Sequence, residues 1–181
     1  YFHDYSFLKR KVECYNGITI YRSPLIPRYD GKPIQLFINY FSFLFFASFK
    51  VLGIKEEFDK IIVYQLSPAT IGIPALIAKW KFKANLYWYI QDLWPESISE
   101  TGGTKSKFIL NSIEKMMMTF YNNSNQIWIQ SPGFEGFLVR KNVDPNKLRF
   151  LPNTVEDYYQ PVDVIEKYRR FFPEGFNILF A

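Results

Sequence analysis

The chain has 181 residues, a mass of 21.6 kDa and a formal net charge of +5, and 48% of its residues are hydrophobic. This length suits one globular domain and is too short for two full-sized α/β lobes. The composition excludes the disordered, collagen-like and low-complexity classes of protein. A chain with this many hydrophobic residues can bury enough apolar surface to offset the entropy that it loses on folding.

A single cysteine, Cys14, and a single histidine, His3, limit the chemistry that the chain can support. They exclude a disulfide framework and a zinc site built from clustered cysteines and histidines, and a Ser-His-Asp triad would have to draw on the N-terminal segment. Lysines and arginines are scattered, so no dense basic block supports nucleic acid as a partner. The positive charge fits an anionic membrane surface or a phosphorylated small molecule equally well.

Short apolar runs rich in β-branched and aromatic residues alternate with longer segments of helical period. This pattern is typical of βα units and predicts a largely parallel sheet. The predicted strands are residues 18–21, 60–64, 86–90, 126–129 and 147–151, and the predicted helices are residues 34–52, 71–82, 107–122 and 132–141. The helix at 107–122 has the clearest pattern, because Ile109, Ile113, Met116 and Phe120 recur on one face.

The segment 34–49 carries no charge over sixteen residues and is rich in phenylalanine. At about 1.5 Å per residue it reaches only about 24 Å, which is short of a hydrocarbon core of about 30 Å, so a membrane span is not favoured. Gln35, Asn39 and Ser42 form one narrow polar stripe. The sequence favours a helix that is packed on most sides, and the first alternative is a helix partly inserted into a bilayer surface. The least favoured alternative is a short span that extends through Lys50, whose charged end would snorkel to the surface.

After Leu151 the composition becomes polar and acidic, with Pro152 and Pro161 as breakers. An apolar, strand-like run then follows from Phe176 to the end of the sequence. We therefore predict one lobe over residues 1–160, and over residues 161–181 a linker with the first strand of a second, truncated lobe.

Ligands of an open parallel sheet bind beyond the carboxyl ends of its strands, and the loop after residues 86–90 is the most informative there. Asp92 falls between strand and helix, where a carboxylate contacts a sugar hydroxyl, positions an attacking group or simply caps the loop. Trp94 either stacks on a sugar face or covers the core. Glu96 suits the positive end of a helix dipole, which gives it a purely structural explanation.

The other strand ends carry further polar residues. Ser67 follows the strand at 60–64, and Asn153 lies between Pro152 and Thr154 as a site residue or a simple turn residue. Ser131 and Pro132 predict the start of a helix, with Ser131 as its N-cap. Backbone N–H groups without partners at this end, near Gly133, form either an anion site or an ordinary cap.

Several well-known motifs are absent from the sequence: GxGxxG, GxxxxGK[ST], HExxH, GxSxG and an Asp-x-Asp pair. Dinucleotide dehydrogenases, P-loop nucleotidases and metal-dependent sugar transferases therefore lose their main support.

Four strings occur in an order that resembles the N-terminal domain of family 4 glycosyltransferases, in the branch that makes bacterial capsule, exopolysaccharide and colanic acid. They are YQLSP at 64–68, YIQDLWPES at 89–97, QSPGF at 130–134 and VDPNKLRFLPN at 143–153. The likeness runs from about Gly17 to the end, and the QDLWPES string is its most specific part.

The resemblance implies an α/β, Rossmann-like three-layer lobe with a mainly parallel sheet, which is the N-terminal half of a GT-B fold without its first strand. It implies retaining transfer of a sugar from a nucleotide sugar to a lipid-linked acceptor, without a metal or other cofactor. The enzyme would be cytoplasmic and peripheral to the inner face of the cytoplasmic membrane. This lobe would be inactive without the C-terminal nucleotide-binding lobe, so the natural protein is expected to extend at both ends.

The resemblance also assigns roles to residues. Asp92 would contact the acceptor or the catalytic centre, and Gln91 stands where relatives often have a histidine that contacts the donor sugar. Ser131 would lie near the phosphates and Asn153 at the interlobe hinge. Further substrate-binding residues are Ser67, Trp94, Glu96 and Gly133. The alternative function is a non-catalytic binding or membrane-docking module with the same Rossmann-like fold.

Overall fold

The computed structural model describes residues 12–28, 33–66, 69–100, 104–157, 160, 171–172 and 174–177. Its strands are β1 (Val12–Tyr15), β2 (Ile18–Tyr21), β3 (Lys60–Gln65), β4 (Asn85–Ile90), β5 (Gln126–Ile129) and β6 (Leu148–Phe150). Its α-helices are α1 (Pro33–Gly53), α2 (Gly72–Phe82), α3 (Glu96–Glu100), α4 (Lys107–Asn123) and α5 (Gly133–Arg140). Single 3₁₀ turns precede α2 and β6.

The first two strands form an antiparallel hairpin that is separate from the main sheet. The prediction of a strand at 18–21 is confirmed, but its place in a parallel sheet was wrong. Asn16 and Gly17 both have positive φ, 48° and 81°, as a tight two-residue hairpin turn requires. The Tyr21 hydroxyl donates a hydrogen bond to Glu56, which ties the hairpin to the segment after α1 and lowers the pKa of the Glu56 carboxyl.

The main sheet is four-stranded and parallel, in the order β3-β4-β5-β6. All four strands were predicted to within one or two residues, since each is an apolar run followed by a helical segment or a turn. Consecutive strands are neighbours, so their carboxyl ends share one edge of the sheet. The α/β class and the parallel sheet are therefore as expected.

The core lies between one face of this sheet and the helices α2, α4 and α5. Trp88 on β4 is fully buried and its ring stacks on Phe120 of α4, with 5.3 Å between the centroids. On the opposite face, Ile62 and Tyr64 are exposed. Within the described ranges this second face has no helical layer, so the three-layer arrangement remains an expectation.

Helix α4 confirms the predicted helix at 107–122, with one difference in its buried face. Ile113, Met116 and Phe120 pack in or against the core, as predicted, whereas Ile109 is exposed. The central methionine of the run 116–118, Met117, is fully buried. Methionine therefore fills the core here, as its flexible side chain suits it to do.

Helix α1 runs beside α2 in the same direction. Near its start, the Tyr40 carbonyl accepts from the Thr70 hydroxyl (3.5 Å), and at its end Lys81 donates to the carbonyls of Val51 (2.9 Å) and Leu52 (2.7 Å). The helix is 21 residues long, about 31 Å, because it continues through Lys50 to Gly53. The length argument against a span counted only the sixteen uncharged residues, so it does not apply to the whole helix.

Helix α1 is both long and apolar. Ile34–Gly53 is long and apolar enough to cross a membrane by composition alone, and it is the one such helix among the described residues. The expectation that α1 is packed on most sides was wrong, because seven of its apolar side chains are exposed.

The expected linker and second lobe fall largely on residues that lie outside the described part of the chain, as do Ser67 and His3. The division at residue 160 therefore stays a prediction.

We predict that Gly72→Ala destabilises the lobe by about 1–3 kcal/mol, because the added Cβ would overlap the buried ring of Phe120. Gly136→Ala in α5 is the matched control, since its Cβ would meet only the flexible end of Arg140 at 3.5 Å. Helix propensity then makes the control neutral or slightly stabilising. Urea unfolding of the two variants measures both changes, and equal stabilities would contradict the packing described here.

Candidate functional site

Each parallel strand ends in a residue with a side-chain carboxamide, or leads to one. These are Gln65 at the end of β3, Gln91 after β4, Gln130 after β5 and Asn153 after β6. Because the strands are parallel and adjacent, the four amides come to the same edge of the sheet. We call Gln91, Gln130 and Asn153 the amide cluster, since they are bonded to one another.

The Asn153 amide nitrogen donates to Gln91 Oε1 at 2.8 Å and to Gln130 Oε1 at 2.5 Å. In turn, Gln130 Nε2 donates to the Gln91 carbonyl at 2.6 Å. The Tyr89 hydroxyl lies 2.7 Å from Asn153 Oδ1 and 3.0 Å from the Leu151 carbonyl, and shares its proton between them. The cluster thus joins loops that are 62 residues apart in the chain.

Gln91 is the buried member of the cluster, with 6% of its surface exposed. Its oxygen is bonded to Asn153, but its Nε2 has no hydrogen-bond partner within the described residues. A buried amide donor without a partner is uncommon and costs free energy. Among the described residues, the Gln91 amide is therefore an unsatisfied, uncharged donor at the carboxyl edge of the sheet.

A second, deeper contact positions the loop after β4. The fully buried Gln65 donates from Nε2 to the Asp92 carbonyl at 2.7 Å. Its Oε1 accepts from the Trp88 indole N–H and from the Tyr121 hydroxyl, the latter at 3.3 Å. Burial raises the pKa of Tyr121, so its hydroxyl stays protonated and able to donate at all ordinary pH values.

The Asp92 side chain is exposed at this edge, next to Gln91. The loops that carry Asp92, Ser131 and Asn153 were predicted to lie on one edge, and the structure brings them together through Gln91 and Gln130. The Ser131 hydroxyl accepts from the Gly133 N–H at 3.3 Å, while α5 begins at Gly133, one residue later than expected. Gly133 itself is exposed.

Two predicted site residues have other partners. Glu96 contacts Lys141 of the segment after α5 at 3.5 Å, and Lys141 also pairs with Glu114 of α4 at 2.7 Å. The hydrogen bond to Glu114 and the charges of both carboxylates raise the pKa of Lys141. Trp94 is half-buried, packs against the core and lies 6.5 Å from the Tyr40 ring, so the core-covering interpretation fits it better.

Gln65 and Gln130 were predicted to lie at the strand ends, within the strings YQLSP and QSPGF, but were given no role in the site. Tyr89 was left out of the candidate site, because its alternation within β4 shows only that it faces away from the core. In the described ranges no group of three acidic, histidine or cysteine side chains is placed to hold a metal ion.

No model of a known protein family matches this chain, and no curated protein matches it either. The resemblance in sequence motifs therefore has no independent support from relatives.

We predict that Gln65→Leu destabilises the lobe by about 2–4 kcal/mol, because it leaves the Trp88 N–H, the Tyr121 hydroxyl and the Asp92 carbonyl without their buried partner. The control is Gln126→Leu, which removes only a 3.3 Å contact with the Trp128 indole and should cost less than about 1 kcal/mol. Urea unfolding gives both values. Hydrogen exchange of the Trp88 indole should also speed up in the Gln65 variant alone, and similar losses in both variants would contradict this assignment.

Proposed function

We propose that this chain is the acceptor-side lobe of a retaining glycosyltransferase of family 4 type, and that its amide cluster and Asp92 bind the reacting sugars. The observation that carries the proposal is the exposed Asp92 carboxylate beside the amide cluster, at the carboxyl edge of a parallel sheet. This edge is where open α/β sheets bind ligands.

The chemistry of the edge suits hydroxyl groups. Carboxamides are neutral and offer both donors and acceptors, which matches the alternating donor and acceptor capacity of a sugar hydroxyl. The exposed Asn153 carboxamide would contact a sugar hydroxyl, the Asp92 carboxylate would accept from the attacking hydroxyl of the acceptor, and Gln91 would lie beneath the donor sugar. Gln130, Tyr89 and Asn153 would hold the Gln91 side chain in place.

Retaining transfer without a protein nucleophile depends on holding the donor phosphate, the anomeric carbon and the acceptor hydroxyl together, so positioning and electrostatics supply most of the rate. The nucleotide sugar would bind mainly to a second lobe, with Ser131 and the N–H of Gly133 near its phosphates and Asn153 at the hinge. The fit of the two lobes would exclude water, which competes as an acceptor.

The acceptor would be a lipid-linked sugar, and the site of action the inner face of the cytoplasmic membrane, as part of surface-polysaccharide synthesis. The scattered positive charge is compatible with this location. The rival function, a non-catalytic binding or membrane-docking module, shares the fold but requires no transfer.

We predict that Asp92→Asn lowers kcat for sugar transfer by roughly 10²–10⁴-fold, because the carboxylate that orients or deprotonates the acceptor is lost. Sugar transfer is measured with the protein that the complete coding sequence encodes. The donors are a panel of nucleotide sugars, the acceptor is a polyprenyl-diphosphate-linked monosaccharide, and each assay is run with and without EDTA. The matched control is Asp144→Asn, since Asp144 is exposed at the opposite, amino end of the sheet and only caps the turn before β6.

Retained anomeric configuration in the product and equal rates with EDTA are expected. Full activity of the Asp92 variant would remove this residue from the mechanism. If the complete protein transfers no sugar from any donor of the panel, the non-catalytic module becomes the better account.

A further inference from the structure

The surface of α1 is unlike that of a helix that faces water. Among residues 34–53, every exposed side chain is apolar, with exposures between 41% and 63%. They are Ile34, Phe37, Ile38, Phe41, Phe45, Phe49 and Leu52. Soluble proteins place polar residues on the outer face of such a helix, and patches of this kind mark surfaces that contact a partner.

The polar residues of α1 are instead used for contacts within the lobe. Asn39 donates to the Ile26 carbonyl at 2.6 Å, and the Ser42 hydroxyl accepts from the Ile26 N–H at 2.9 Å. Gln35, Ser48 and Lys50 are half-buried or buried. The predicted polar stripe therefore faces the protein, and the outer face keeps no polar side chain.

A protein partner fits this face poorly. Protein–protein interfaces carry about one hydrogen bond per 100–200 Å², and the outer face of α1 offers no side-chain donor or acceptor for one. Lipid acyl chains require none. The outer rings form ordered pairs, Phe37 with Phe41 at 4.2 Å and Phe45 with Phe49 at 4.7 Å between centroids.

The charge at the end of α1 complements an anionic surface. The segments 50–60 and 79–83 together carry six lysines and three carboxylates: Lys50, Lys55, Lys60, Lys79, Lys81 and Lys83 against Glu56, Glu57 and Asp59. Trp80, in the middle of the second segment, is 77% exposed. Tryptophan next to lysine is typical of the boundary between lipid and water.

The contacts on the inner side of α1 determine whether the helix could span a bilayer or lie in its plane. It lies against α2 along its length, from Thr70 to Lys81, so the folded lobe occupies that side. That lobe carries charged residues, Lys79 and Lys81 of α2 among them, and it cannot enter the hydrocarbon core with α1, where polar groups must be paired. A helix in the plane of the interface buries only its outer face.

We propose that this lobe docks on an anionic lipid bilayer through the outer face of α1, which lies in the plane of the surface with its phenylalanines inserted among the acyl chains. The inference goes beyond sugar transfer, because it concerns a face that the amide cluster does not use and requires no activity. It would, however, provide the surface at which a lipid-linked acceptor is met.

Co-sedimentation of the 181-residue chain with phosphatidylglycerol–phosphatidylethanolamine vesicles tests the proposal, at about 0.1 M salt to limit weak charge effects. Phe41→Ser combined with Phe45→Ser should reduce the partition coefficient roughly tenfold or more, because two exposed rings no longer insert. The matched control is Phe108→Ser combined with Phe150→Ser, which removes two exposed phenylalanines from α4 and β6 and should change binding less than about twofold. Phosphatidylcholine vesicles should bind the wild-type chain more weakly.

Depth measurements separate an in-plane helix from a spanning one. With Cys14 replaced by serine, a fluorescent label is attached at Phe37→Cys, Phe45→Cys or Phe49→Cys and quenched by lipids that carry a quencher at known depth. Equal, shallow depths support the proposal, and a maximum at residue 45 would overturn it in favour of a span.

Equal vesicle binding by both double variants would also overturn the proposal. So would a wild-type dimer in light scattering that the Phe41/Phe45 variant dissociates, with no vesicle binding, since a second copy would then cover α1. No sugar substrate is present in these experiments, so their failure is distinct from a failure of sugar transfer. Circular dichroism and thermal melts confirm that the variants, changed only at exposed positions, remain folded.

Discussion

The buried amide of Gln65 sets the geometry of this lobe. It lies at the end of β3, fully enclosed, and its polar atoms must find partners inside the protein. It accepts from the Trp88 indole and the Tyr121 hydroxyl, and donates to the Asp92 carbonyl. One side chain therefore joins β4, α4 and the loop that carries the candidate catalytic carboxylate.

The parallel sheet brings the other residues of the site together. Adjacent parallel strands end at the same edge, which places Gln91, Gln130 and Asn153 within hydrogen-bond distance although they are far apart in the chain. All three are carboxamides, which do not titrate, and among the described residues Asp92 adds an exposed carboxylate beside them. The carboxylate of Asp92 is therefore the main electrostatic feature of this part of the edge.

The polar residues of α1 contact the lobe, and its exposed side chains are apolar. Its Asn39 and Ser42 hold the Ile26 backbone, while its outer phenylalanines contact no part of the core. The start of α1 lies near Trp94, which follows Asp92 in the same loop. A bilayer on the outer face of α1 would thus pass close to the carboxyl edge, where an acceptor on a lipid anchor would have to arrive.

The sequence by itself determined the parallel strands and the four longer helices, because apolar runs and helical periods are local signals that the parallel fold then satisfies together. It also placed Asp92, Ser131 and Asn153 on one edge, since strand direction alone decides where loops meet. The pair Asn16-Gly17 is a local signal for the hairpin, although residues 18–21 were assigned to the main sheet. Only the tertiary structure decided that Glu96 turns to Lys141 and that Tyr89 and Gln130 complete the amide cluster. It also decided that the polar stripe of α1 faces inward. Each of these depends on which distant segment lies opposite a side chain, and no periodicity along the chain carries that information.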